Sequence, residues 1–273
     1  MSPQRLSQAL DWISGYVGIT ASRISDTDVR VTAPVDDRLV TDDGDLHPAA
    51  LFLLLDMAAG LSVGYASLPR WVLTTDISVD FLPAAAPAEL CASGRAIHLG
   101  GRTGLAEVTV DDGHGTPLAI ATANHALVPI PLDEKLPWVD MAVGESRSPD
   151  VPDQAECAAA ELYRPAPLTD DALVGPGMVA GLSLPMTDHT VNPWGVMHGA
   201  VLSHLATAAA GDAGMTDIAS MTIRFLRTLE TGPAHAIVEQ FVTNGPAAHS
   251  RIRIVDSASG FTACVAQVRG RTK

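Results

Sequence analysis

The sequence predicts an α+β fold of two related halves, each a long central helix wrapped by an antiparallel sheet, paired as a pseudo-dimer within one chain. Three observations lead there. One helix-start pattern occurs twice, as His47-Pro48-Ala49-Ala50-Leu51-Phe52-Leu53-Leu54-Leu55-Asp56-Met57-Ala58-Ala59-Gly60 and as His198-Gly199-Ala200-Val201-Leu202-Ser203-His204-Leu205-Ala206-Thr207-Ala208-Ala209-Ala210-Gly211, at a constant offset of 151 (47 to 198, 60 to 211). Both runs are apolar nearly all round, so each helix must be buried on more than one side. Each is followed by segments that alternate apolar and polar residues, the period of a strand with one face covered.

The elements follow in order. Residues 1–16 read as an N-terminal helix outside the repeat, with Asp11 in a short amphipathic stretch. The first repeat, 17–130, has an early strand and the helix from His47. An alternating strand over Thr75–Leu82 follows, and then another over Glu107–Val110. A turn at Asp111, Asp112 and Gly113 leads into an apolar strand at Leu118–Ala123. Residues 131–157 are rich in Pro, Asp and Glu, a linker composition. The second repeat, 158–273, has its helix from His198 and alternating strands at Ala219–Leu226 and Arg251–Val255. A turn from Asp256 to Gly260 precedes Phe261–Val268. The strand offset is 144 (81 to 225), so the second helix-to-strand connection is seven residues shorter (151 − 144). Joined edge to edge, the halves give one continuous sheet carrying two helices.

Composition narrows the function. The 273 residues are 47% apolar, enough for a sizeable core, and a net charge of −14 argues against nucleic acid as a partner. The three cysteines, Cys91, Cys157 and Cys264, are scattered and odd in number, which fits free thiols in a reducing compartment. The N-terminus has no signal-peptide core, and Asp56 interrupts the best apolar run, so a soluble cytoplasmic protein without a membrane partner is expected.

The two helix starts differ where chemistry would need them to agree. Asp56 lies within Leu51–Ala59, and burying an unpaired carboxylate there costs several kcal/mol. It must meet an arginine, backbone donors, a cavity or water, and a carboxylate in a dry cleft is the catalytic reading. Gly199 opens the second helix, where the first amides lack internal partners and the dipole is positive, so its N–H can polarise a carbonyl oxygen. The bland alternative is an ordinary glycine at a helix start. In the first copy Pro48 has no N–H, and in the second Thr207 replaces the acid. Pairing Pro48 with Thr207 leaves neither donor nor carboxylate; pairing Gly199 with Asp56 leaves both.

Asn192-x-x-Gly195-x-x-His198-Gly199 followed by an apolar helix resembles the hotdog-fold acyl-CoA thioesterases, in particular their phenylacetyl-CoA thioesterase branch. Asp56 stands nine residues after His47 (56 − 47), the family's spacing between helix-start histidine and catalytic acid. The resemblance implies a tandem, or double, hotdog whose active site lies between the halves. Asp56 would come from the first repeat, acting as general base or as nucleophile; Gly199, Asn192 and a positioning His198 would come from the second. It also implies a Ser or Thr that holds the attacking water, and here Thr74 is the best match with Thr75 its rival. Coenzyme A would leave as a thiolate, its phosphates held by cations such as Arg102. No cofactor beyond coenzyme A in the substrate is implied, and two chains pairing as a homodimer is a common arrangement in relatives. Two positions depart from the family: Ala200 replaces a second glycine, and Thr41 stands at the first copy's asparagine position. Trp194, Met197 and Phe52 are candidates for the acyl pocket.

Gly60-Leu61-Ser62-Val63-Gly64 matches the serine-hydrolase elbow, but that motif needs a strand before it, and here a helix precedes it. The nine histidines contain no H-E-x-x-H and no cysteine pair has zinc spacing, so no metal is expected. Two rival functions remain. A hotdog enoyl-CoA hydratase would use a loop that Asp188-His189-Thr190-Val191-Asn192-Pro193 only loosely echoes. A non-catalytic acyl-CoA-binding or regulatory protein would fit a chain in which half the sites have decayed.

Overall fold

The structure is a computed structural model that describes residues 12–37, 39–40, 44–46, 48–82, 85–129, 138–149, 166–167, 180–192 and 194–272. The first half runs α1 (Trp12–Val17), β1 (Thr20–Arg23), β2 (Asp28–Pro34), α2 (Pro48–Ser67), β3 (Arg70–Phe81), β4 (Glu89–Leu99), β5 (Thr103–Asp111) and β6 (Pro117–Pro129). The joining segment carries β7 (Ser146–Arg147). The second half runs β8 (Ala166–Pro167), β9 (Ala180–Leu184), α3 (Gly199–Asp212), β10 (Asp217–Phe225), β11 (Ala234–Asn244), β12 (Ala247–Asp256) and β13 (Thr262–Arg271). Of the helix read over residues 1–16, the described part is α1; His47, Thr41 and Cys157 lie outside the described residues.

The described strands form one antiparallel sheet in the order β7-β1-β2-β4-β5-β6-β3-β10-β13-β12-β11-β9-β8. The seam between halves is β3 against β10, where Ser78 stands opposite Thr222. The offset between these two residues is 144, the offset that relates the strands of the two repeats. A residue pairs with its own repeat equivalent only where a two-fold axis crosses the seam, so the pseudo-dyad passes through this pair. The Ser78 Oγ and Thr222 Oγ1 atoms lie 3.1 Å apart in a hydrogen bond across it.

Burial explains the unbroken apolar runs. Leu51, Phe52, Leu53, Leu54 and Leu55 of α2 are all buried, because sheet curls over one side of the helix and α3 packs on another. By length and composition α2 would span a membrane, but 78% of that window is enclosed by the fold, which accounts for its apolarity. Gly94 lets β4 approach the α2 backbone: a Cβ there would collide with the Ala58 carbonyl. Cys91 and Cys264 are buried free thiols, and burial raises the pKa of both.

The described part of the joining segment is fastened to the first repeat rather than merely tethering the halves. Tyr65 Oη donates to the Trp138 carbonyl at 2.7 Å, and Arg23 Nη1 donates to the Met141 carbonyl at 2.7 Å. Further along, β7 pairs with β1, and Arg147 bridges Asp140 and Glu145, both at 2.7 Å.

Candidate active site

Asp56 projects from α2 towards the first turn of α3. A Cβ built on Gly199 would lie 3.3 Å from Asp56 Oδ2 and 3.2 Å from Phe225 Cζ. The acid of the first repeat therefore faces the helix start of the second, and a side chain at residue 199 would have to displace the carboxylate or the Phe225 ring by a few tenths of an ångström.

The start of α3 is built so that one amide is left over. His198 is the N-cap, and its Nδ1 accepts from the Ala200 N–H at 3.0 Å. The Val201 and Leu202 amides both donate to the His198 carbonyl, at 3.0 and 3.2 Å. Among the described hydrogen bonds the Gly199 N–H has no acceptor, and it sits at the positive end of the helix. With Nδ1 accepting, a neutral His198 carries its proton on Nε2, consistent with a residue that shapes the helix start.

The loop before α3 is held by Asn192. Its Oδ1 accepts from the Trp194 and Val196 amides at 3.0 and 3.4 Å, and its carbonyl accepts from Gly195 N–H at 2.8 Å. Gly195 has φ +71°, a conformation that favours glycine. Because Oδ1 is occupied by the turn, Nδ2 is the donor Asn192 can offer to the cavity it lines.

Thr74 reaches Asp56 because of a β-bulge. The β3–β6 register shifts between Thr74 and Asp76, so Thr75 is an extra residue and the inward parity changes there. Beyond the bulge, odd-numbered Ile77 and Val79 are buried; before it, Trp71 and Val72 are both buried and even-numbered Thr74 turns towards Asp56. Thr74 Oγ1 donates to Asp56 Oδ1 at 2.8 Å. Thr75 Oγ1 instead donates to the Asn124 carbonyl at 3.0 Å. Opposite Thr74 on β6 is His125, fully buried. Burial pushes its pKa down to about 4 against the pull of the Asp56 and Asp76 carboxylates.

Asp56, Thr74, Asn192, His198 and Gly199 all line one cavity of about 400 Å³. Trp194 and Met197 also line it, whereas Phe52 is buried in the core and does not. Arg102 lies outside it: the exposed turn between β4 and β5 carries this residue, whose carbonyl accepts from Leu127 N–H. The cation on the cavity lining is Arg227, whose guanidinium stacks on the Phe261 ring at 4.0 Å. Sequence reading also passed over Phe225, Trp71 and Trp138, which share the lining.

Among the described residues, the other side of the dyad lacks the counterparts of Asp56, Thr74 and the Gly199 amide. The Thr207 hydroxyl donates back to the His204 carbonyl at 2.9 Å, and Pro48 opens α2 without an N–H. The bulge is kept there, at Ala219 (219 − 144 = 75), but Ile218 occupies the place of Thr74 (218 − 144 = 74). Ser62 is fully buried within α2 and donates to the Ala59 carbonyl at 2.9 Å, a geometry unlike an exposed nucleophile elbow. Asp188 and His189 do not line the cavity, and the His189 ring packs on Trp12 at 4.4 Å between centroids.

Known structures share this architecture across nearly the whole chain. A putative oleoyl thioesterase from Lactobacillus plantarum superposes with a TM-score of 0.62 at 12% identity, covering 92% of this chain and 98% of that one. The TesB protein of Mycobacterium avium subspecies paratuberculosis gives 0.59 at 12% identity, covering 98% and 99%. The chain is a double hotdog. A third structure with the same architecture is the 12:0-ACP thioesterase of Umbellularia californica, with a TM-score of 0.60, 11% identity, and coverage of 90% and 94%. Within the double hotdog, residues 43–119 match the family model of the thioesterase superfamily. No curated protein matches the sequence.

Proposed function

We propose that this double hotdog hydrolyses an acyl-CoA thioester at a single composite site, with Asp56 and Thr74 from the first repeat and Gly199, Asn192 and His198 from the second. The observation that carries the reading is that Asp56 Oδ2 stands 3.3 Å from where a Cβ on Gly199 would lie, so the acid of one repeat faces the helix start of the other. A thioester carbonyl oxygen received by the Gly199 N–H and Asn192 Nδ2 has its carbon beside that carboxylate oxygen. Negative charge growing on the carbonyl oxygen then meets a fixed amide and the helix dipole, which stabilise the transition state more than the ground state.

Asp56 can act in either of two ways. As general base it takes a proton from water, the resulting hydroxide adds to the carbonyl carbon, and coenzyme A departs as a thiolate. As nucleophile it adds to the carbon itself, the thiolate departs, and water then opens the mixed anhydride. The reacting oxygen is Oδ2 in both, because Oδ1 holds the Thr74 hydrogen bond. Arg227, planar and backed by Phe261, is the residue we assign to the coenzyme's phosphates.

The test is free-thiol release from a panel of acyl-CoAs and acyl carrier protein thioesters by wild type, Asp56→Asn and Thr207→Ala. The expected result is at least about a hundredfold loss with Asp56→Asn and no change with Thr207→Ala. Equal activity in all three would remove Asp56 from the chemistry. Tight acyl-CoA binding with no thiol release would instead mark a binding protein.

A further inference from the structure

The cavity lining is of two kinds. Leu226 is 57% exposed and Arg227 is exposed as well, so a charged carrier can remain in water beside them. Trp71, Leu61 and Trp138 are each at most 6% exposed. Apolar groups are driven towards the dry residues and charged groups are kept from them.

Trp138 comes from neither repeat but from the segment that joins them. Its backbone is fixed by the Tyr65 hydroxyl, 2.7 Å from the Trp138 carbonyl. The Tyr65 ring stands edge-on to Trp71 at 6.2 Å and 75°, and the Arg23 guanidinium lies over its face at 4.4 Å. Burial of that hydroxyl raises its pKa to about 12, so it remains a donor across the physiological range. Arg23 also holds the segment at the Met141 carbonyl. On the helix side, Trp71 lies so close to Gly64 that a Cβ there would meet its ring at 2.8 Å. The Trp71 ring is thus held between Gly64 and Tyr65, and the backbone that carries Trp138 is held by Tyr65.

We propose that Trp138, together with Trp71, is the end wall of the acyl pocket and limits the double hotdog to short and medium apolar acyl groups. The proposal rests on the thioesterase reading above. The cavity is at the small end of the range for small-molecule sites, and it must also admit the thioester. A joining segment occurs once between two repeats, so it can wall one of the two dyad-related positions. It walls the one holding Asp56 and Gly199.

The experiment measures kcat/KM for straight-chain acyl-CoAs from butyryl to palmitoyl with wild type, Trp138→Ala and Trp138→Phe. We expect wild-type activity to fall beyond the medium chains. In Trp138→Ala the ratio of long-chain to short-chain kcat/KM should rise by about tenfold or more, the scale of a few methylenes accommodated. Trp138→Phe should shift the same way by less. Thermal unfolding of each variant accompanies the kinetics, and if Trp138→Ala does not fold, the outcome rests on Trp138→Phe. Folded variants with an unchanged length profile overturn the end wall while leaving the thioesterase reading intact. Absence of turnover by wild type across the series overturns that reading instead.

Discussion

A Cβ at residue 199 would press on both the Asp56 carboxylate and the Phe225 ring. Alanine keeps the amide, so Gly199→Ala is expected to keep the fold but lower kcat by about a hundredfold through displacement of the Asp56 carboxylate, the scale of misplacing a catalytic group by about an ångström; steady-state kinetics beside circular dichroism would show it. Thr74→Val removes the hydrogen bond to Asp56 Oδ1 and should cost about tenfold in kcat, with little change in KM and recovery in Thr74→Ser. A drop confined to KM would show that Thr74 acts on binding instead. The residues now placed together were legible in the sequence because two degraded copies could be laid against each other. Pro48 opposite Gly199, and Thr207 opposite Asp56, show which atoms each copy lacks. Arg227 was not legible, because a lone arginine after a strand carries no spacing signal. What marks it is the Phe261 ring beneath it, 34 residues on (261 − 227).

Strands β3 and β10 both begin earlier than alternation predicts, and the bulge is the cause. The pattern points to starts at Thr75 and Ala219, whereas the strands start at Arg70 and Asp217. Thr75 and Ala219 are themselves the bulge residues. An extra residue reverses inward and outward, so a period-two search finds only the stretch beyond it. The long helices were read closely because a fully apolar run of that length has few other fates. At the scale of element packing, Gly94 sets how near β4 comes to α2. Gly94→Ala should cost about 2 kcal/mol by overpacking, seen as a lower urea midpoint with an unchanged slope. An unaltered midpoint would mean that strand and helix separate at little cost.

The whole molecule should weaken in mild acid in part through His125. Its folded pKa, about 4, lies below the ordinary imidazole value, so between the two the unfolded chain binds a proton that the native one refuses. This contribution is complete above pH ~6.5 and is lost at roughly 1.4 kcal/mol per pH unit on the way down. Denaturant melts at pH 7 and pH 5 should therefore differ less for His125→Leu than for wild type; an equal difference would count against it. Edge-to-edge joining of the halves was legible, since two helices each needing a cover imply a shared sheet. The pairing of Ser78 with Thr222 was not, because register at the seam depends on which residues meet in space. In a dimer of identical subunits every substitution is made twice, and damage to one site is damage to both. A fused pair escapes that rule. Pro48 abolishes an amide on one side of the dyad and leaves Gly199 untouched on the other, much as a diploid genome shelters a recessive allele. Inheritance by a single chain thus lets one face drift while its twin stays under selection.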